Sequence, residues 1–144
     1  MRNLAGILIA GVLVAGCTES SLQAGRSSVA RHEGGRAYAK VTGLSDEFGN
    51  IYTEFVQQDL TALGISPGSH FTVGVGDKSF KVYLGKTYSD VPKGEWVAFL
   101  TAEGMLQISR NFDNASETLG CKVGDTIFIA PLSTELLRIL VTLS

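Results

Sequence analysis

Between Met105 and Gly120 the chain changes its period, and that change limits the possible folds more than any other feature. Leu106 and Ile108 fall on one face and Met105, Gln107 and Ser109 on the other, the two-residue repeat of a half-buried strand. At Arg110-Asn111-Phe112-Asp113 the alternation stops. Asn114 with Glu117 three residues on has the spacing of a capping box, and Gly120 closes the segment, so a short helix is predicted after the corner. Such a corner leaves N–H groups unpaired beside a guanidinium, an amide and an aromatic ring, which makes it the best binding-site candidate in the chain.

Similar alternating runs recur at Tyr38–Leu44, Asn50–Phe55, Phe71–Val75, Phe80–Leu84, Glu95–Thr101 and Thr126–Ala130. In the second of these, Ile51, Thr53 and Phe55 share the inward face and Asn50, Tyr52 and Glu54 the polar one. Gly76-Asp77-Lys78-Ser79 between two runs predicts a hairpin. Asp59 to Gly64 reads as a helical turn with Leu60 and Leu63 on one side. The result is a mainly β chain with one or two short helices. The loop Lys86–Gly94 carries Tyr88, an aromatic ring that no strand pattern requires.

The N-terminus has a different character. Met1-Arg2-Asn3 precedes an apolar run from Leu4 to Gly16, thirteen residues, against the about 20 that a membrane-spanning helix needs. Val14-Ala15-Gly16-Cys17 resembles a bacterial lipoprotein box. Residues 1–16 are therefore expected to be a signal peptide and Cys17 a lipidated mature N-terminus, the alternative being an ordinary secretory signal cleaved near Ala15-Gly16. The expected location is the bacterial cell envelope, on the periplasmic face of the outer membrane if the organism has one, since Thr18 is not the aspartate of inner-membrane retention. Residues 17–36, rich in Ser, Gly and charged side chains, read as a flexible tether in which His32 is solvated. Roughly 105 residues remain, enough for one core and too few for two. Residues 133–144 suit either a helix with Leu136, Leu137, Leu140 and Leu143 on one side or a strand of β-branched residues, an extension packed on the barrel or on a partner.

With Cys17 lipidated, Cys121 is left unpaired, so no disulfide framework is expected and a packed thiol is the simplest reading. The net charge of -2, with no basic stripe, gives no footprint for nucleic acid. Neither histidine has further ligands at metal-binding spacing, and there is no glycine-rich phosphate loop. No metal and no cofactor are expected.

Four motifs point further. Phe48-Gly49-Asn50-Ile51-Tyr52-Thr53, Thr87-Tyr88-Ser89-Asp90 with Gly94-Glu95, Gly104-Met105-Leu106-Gln107-Ile108-Ser109-Arg110-Asn111, and Gly124-Asp125 stand in the order and at about the spacing found in the S-adenosylmethionine hydroxide adenosyltransferases and their fluorinase and chlorinase relatives. The resemblance, from about Ala39 to Leu132, is to the C-terminal domain of that family. It implies a small antiparallel β-barrel over residues 37–132. It also implies that Asn50 hydrogen-bonds an adenine, that Phe48 and Tyr52 surround it, that Tyr88 stacks on it, and that Arg110, Asn111 and Phe112 lie at its edge. Ala102-Glu103 departs from a Ser-Arg that holds the methionine end in the family.

The catalytic groups of the family sit in a larger N-terminal domain, with the pocket formed between subunits of a trimer, so the resemblance implies adenosine or S-adenosylmethionine as ligand and a homotrimer as assembly. The favoured expectation is a lipid-anchored, non-catalytic binding module with affinity for an adenine nucleoside. Two alternatives stand beside it: hydrolysis of S-adenosylmethionine to adenosine and methionine with another chain supplying the missing half, and a structural envelope protein with a partner-binding face.

Overall fold

A computed structural model of the chain describes residues 26–132. The leader 1–16, Cys17 and the extension 133–144 lie outside the described residues. Eight strands are formed: β1 (Arg31–Glu33), β2 (Arg36–Leu44), β3 (Ile51–Val56), β4 (His70–Val75), β5 (Lys78–Leu84), β6 (Trp96–Leu100), β7 (Met105–Arg110) and β8 (Thr126–Pro131). Helix α1 (Gln57–Ala62) follows β3, and α2 (Ala115–Leu119) follows β7.

The strands are ordered β2-β3-β7-β6-β5-β4-β8, and β8 pairs back onto β2, with Ala37 opposite Ile129 and Lys40 opposite Thr126, which closes a seven-stranded barrel. Closure removes the exposed edges that an open sheet would present. One seam departs from the antiparallel expectation. β5 and β6 run parallel, with Tyr83 opposite Val97 and Leu84 opposite Ala98. Parallel neighbours need a long crossover in place of a tight turn, and residues 85–95 supply it, folded around a 3₁₀ turn at Tyr88–Asp90. The loop bearing the unexplained aromatic ring is thus imposed by topology.

The inward face of each strand fills one core. Ile51, Phe55, Phe71, Leu106, Ile108, Ile127 and Ile129 are fully buried, and each such side chain stabilises the fold by about 1.5–3 kcal/mol relative to exposure. Inside, Thr53 donates to the Leu106 carbonyl at 2.8 Å. The β4–β5 hairpin turns at Gly76-Asp77, where Gly76 has φ +61° and Asp77 a negative φ, the pattern of a type II′ turn with its glycine first.

Two expectations are corrected here. The tether does not reach residue 36: β1 pairs with β2, Arg26 donates to the Glu103 carbonyl at 2.7 Å, and Ser28 bonds to Asp59. The cause lies in Asp59. Helix α1 starts two residues before the predicted turn, which takes Asp59 inside, fully buried, where its carboxylate accepts from Val56 N at 2.9 Å and pairs with His32 at 2.9 Å. A buried carboxylate must be hydrogen-bonded on every side, and the N-terminal segment provides the partners, so His32 is a clasp for it. Second, β7 is not half-buried. Gln107 and Ser109, on its polar face, are also buried, because the crossover loop covers that face.

The aromatic hollow at the barrel end

Gly49 is where the site begins. Its φ of +64° turns the chain from the Ser45–Phe48 turn into β3. A Cβ at that position would sit 1.8 Å from Asn114 Oδ1, so only glycine lets this turn lie against the start of α2. Ser116 N donates to the Gly49 carbonyl at 2.9 Å across the contact. The helix forms as predicted: Asn114 Oδ1 accepts from Glu117 N at 3.0 Å, and Gly120 ends it in the left-handed conformation. The reciprocal half of the box is replaced, because Asp113 takes the Asn114 N–H at 2.7 Å.

Arg110 and Asn111 act on the crossover loop. Arg110 donates to the Gly94 carbonyl from Nε at 3.0 Å and from one terminal nitrogen at 2.7 Å; its other terminal nitrogen reaches Thr118 Oγ1 at 3.0 Å and Asp113 at 2.9 Å. Its plane lies over Trp96, 5.5 Å from the ring centre. Asn111 Nδ2 donates to the Val91 carbonyl at 2.8 Å, and its main-chain N–H and C=O pair with Glu95 and Gly94. These side chains clasp residues 91–95 and hold them beside the corner.

Phe48, Asn50, Tyr88, Arg110, Asn111 and Phe112 line one hollow of about 520 Å³, within the size range of small-molecule sites. Glu47, Asp113 and Asn114 complete its wall; Asp113 belongs to the predicted corner, whereas Glu47 and Asn114 carry no binding expectation although they flank the motif residues directly. Of the seven predicted ligand-site residues, Tyr52 is the one that faces elsewhere, into a second hollow with Thr42, Glu103 and Met105. Asn50 stands before β3 begins, so strand alternation does not bind it to the face of Tyr52. Glu103, which stands where the resemblance places a methionine-holding arginine, belongs to that second hollow too.

Phe112 is 83% exposed and holds φ +58°, a left-handed conformation that a bulky side chain occupies at a cost of order 1–3 kcal/mol. It is no core plug. With Phe48, 60% exposed, it forms an apolar rim. At the floor, Asn50 is buried; its Nδ2 donates to the Tyr88 hydroxyl at 2.9 Å, and its Oδ1 is a buried oxygen with no hydrogen-bond partner among the described residues.

Among the described residues two ionisable groups are shifted. Asp90 anchors the Tyr88 turn by accepting from Lys86 N at 2.6 Å and Thr87 N at 3.2 Å, and these bonds, the Lys86 one first, hold its carboxyl below the usual range. A lowered folded pKa means that this anchor is complete above the ordinary carboxylate value and is lost as pH falls through the lowered one. In an acid titration followed by NMR, the Lys86 and Thr87 amides should therefore move only below the ordinary carboxylate range, and Asp90→Asn should leave them insensitive. Burial, with Asp125 adding to it, pushes the Cys121 thiol up, so it stays protonated and a poor nucleophile at neutral pH.

The model of the SAM hydroxide adenosyltransferase C-terminal domain matches residues 44–128. The chain belongs to this family. Fluorinase from Nocardia brasiliensis is 29% identical over 89 residues, which are 60% of this chain and 30% of the fluorinase. A solved structure of an uncharacterized conserved protein from Thermotoga maritima superposes with a TM-score of 0.65 at 30% identity, over 74% of this chain and 39% of that one. The adenosyltransferase-type domain thus spans well under half the length of both relatives. The match takes in the whole hollow, from Glu47 to Asn114.

Proposed function

We propose that this domain binds an adenine nucleoside in the aromatic hollow without catalysing a reaction on it. The observation that carries the reading is the buried, unpartnered Oδ1 of Asn50 at the floor of a hollow rimmed by two exposed phenylalanines. An unsatisfied buried acceptor costs about 1–3 kcal/mol, which a ligand N–H such as an exocyclic amine would recover. Phe48 and Phe112 offer faces to a flat ring. Phe112 N–H and C=O have no partner among the described residues and stand at the same rim. Among the described residues of the lining Arg110 is the one cation and is paired with Asp113, while Glu47 adds negative charge, so a neutral nucleoside or a sulfonium suits the hollow better than a phosphate.

Calorimetric titration of the full chain with adenosine, S-adenosylmethionine and AMP tests this. Adenosine and S-adenosylmethionine should bind, AMP more weakly, and Asn50→Ala should weaken adenosine by about tenfold. No heat from any of the three ends the proposal. Release of adenosine from S-adenosylmethionine would favour the hydrolytic alternative. We further propose that Cys17 carries a lipid that moors the domain to a membrane surface, the support being the thirteen-residue apolar run and the small residues before the cysteine. Fatty-acid labelling in cells should be lost in Cys17→Ser; label retained in that variant contradicts it.

A further inference from the structure

The Tyr88 hydroxyl is held by two donors. Asn50 Nδ2 reaches it at 2.9 Å from the hollow side, and Gln107 Nε2 at 2.8 Å from the strand behind, where Gln107 also donates to Ser109 Oγ at 3.1 Å. A phenolic oxygen has two lone pairs and one proton. Both lone pairs are therefore occupied, and the proton has no acceptor among the described residues. The Tyr88 ring meets Phe99 edge-on, with centres 5.2 Å apart at 84°, which fixes the direction of the hydroxyl. Gln107 is buried and Tyr88 partly exposed at the lining of the hollow.

We propose that Tyr88 is a hydrogen-bond donor to the ligand, paired with the acceptor Asn50 Oδ1, and that Gln107 is the positioning residue that keeps the Tyr88 proton directed at the hollow. Tyr88 then reads the edge of the base, and the stacking faces are Phe48 and Phe112. A donor beside an acceptor complements a base that carries an exocyclic amine next to a ring nitrogen. The proposal rests on the nucleoside reading above and deepens it. Replacing Gln107 by a carboxylate of the same shape would accept the Tyr88 proton and withdraw the donor from the hollow.

The test uses the full chain, calorimetry, and three probes: adenosine, 7-deazaadenosine and 1-deazaadenosine, which lack one or the other ring nitrogen beside the amine. In the native chain one deaza analogue should bind about tenfold more weakly than adenosine, the value of one neutral hydrogen bond. In Tyr88→Phe that difference should vanish. Gln107→Glu should weaken adenosine about tenfold in the native background and not at all in Tyr88→Phe, because its effect passes through the hydroxyl; Gln107→Met, which adds no charge, separates this from a loss of folding by keeping part of the deaza difference. Equal affinity for all three probes in the native chain, or a difference that survives in Tyr88→Phe, overturns the proposal while leaving the nucleoside reading intact. Failure of adenosine itself to bind removes both.

Discussion

Gly49→Ala should destabilise the domain by about 3 kcal/mol, a fall in Tm on the order of 15 °C for a barrel of this size. Two costs combine. An alanine at φ +64° meets the left-handed penalty of about 1 kcal/mol, and its Cβ, 1.8 Å from Asn114 Oδ1, must displace a side chain that accepts from Glu117 N and Ser116 Oγ. Loss of such a cap is worth roughly another 1 kcal/mol, and the Gly49–Ser116 bond goes with it. The turn bearing Phe48 and Asn50 would then separate from α2, opening the hollow. Thermal unfolding followed by circular dichroism checks this, and a shift under about 4 °C would mean that the turn and helix are not packed as described.

Arg110→Ala should cost about 2–3 kcal/mol, and its effect on binding should come through the loop. The guanidinium is four-fifths buried and ties Gly94, Thr118 and Asp113 together over Trp96. Hydrogen bonds from charged groups are worth about 1.5–3 kcal/mol. Amide exchange in residues 87–95 should rise sharply in the variant. Arg110→Lys should recover less than half of the loss, because an ammonium cannot reproduce the planar fork that grips the Gly94 carbonyl twice. Urea unfolding with exchange mass spectrometry reads both effects; unchanged exchange in the loop would show that the corner does not hold it.

Local chemistry made β7, the corner and α2 readable in advance. Alternation placed Leu106 and Ile108, Asn114 is a cap by virtue of its own side chain, and Gly120 stops the helix by its backbone. What sequence reasoning misplaced depends on distant partners. Three residues of β1 carry no periodicity, and they are ordered because Asp59, twenty-seven residues beyond His32, needs hydrogen bonds in the interior. Gln107 reads as a solvated strand residue until the parallel seam and its crossover bring Tyr88 over it. Arg110 and Asn111 line the hollow and also clasp the crossover loop, a second task that their spacing cannot reveal because it depends on Val91 and Gly94 lying beside them. Family resemblance brought Phe48, Asn50 and Tyr88 to one place where residue periods alone would not.

Soaking adenosine into crystals of the domain tests the central claim most directly. The base is expected between Phe48 and Phe112, with its exocyclic amine within hydrogen-bond reach of Asn50 Oδ1 and a ring nitrogen facing the Tyr88 hydroxyl. A base bound outside the hollow, or with its amine turned away from Asn50, would contradict it.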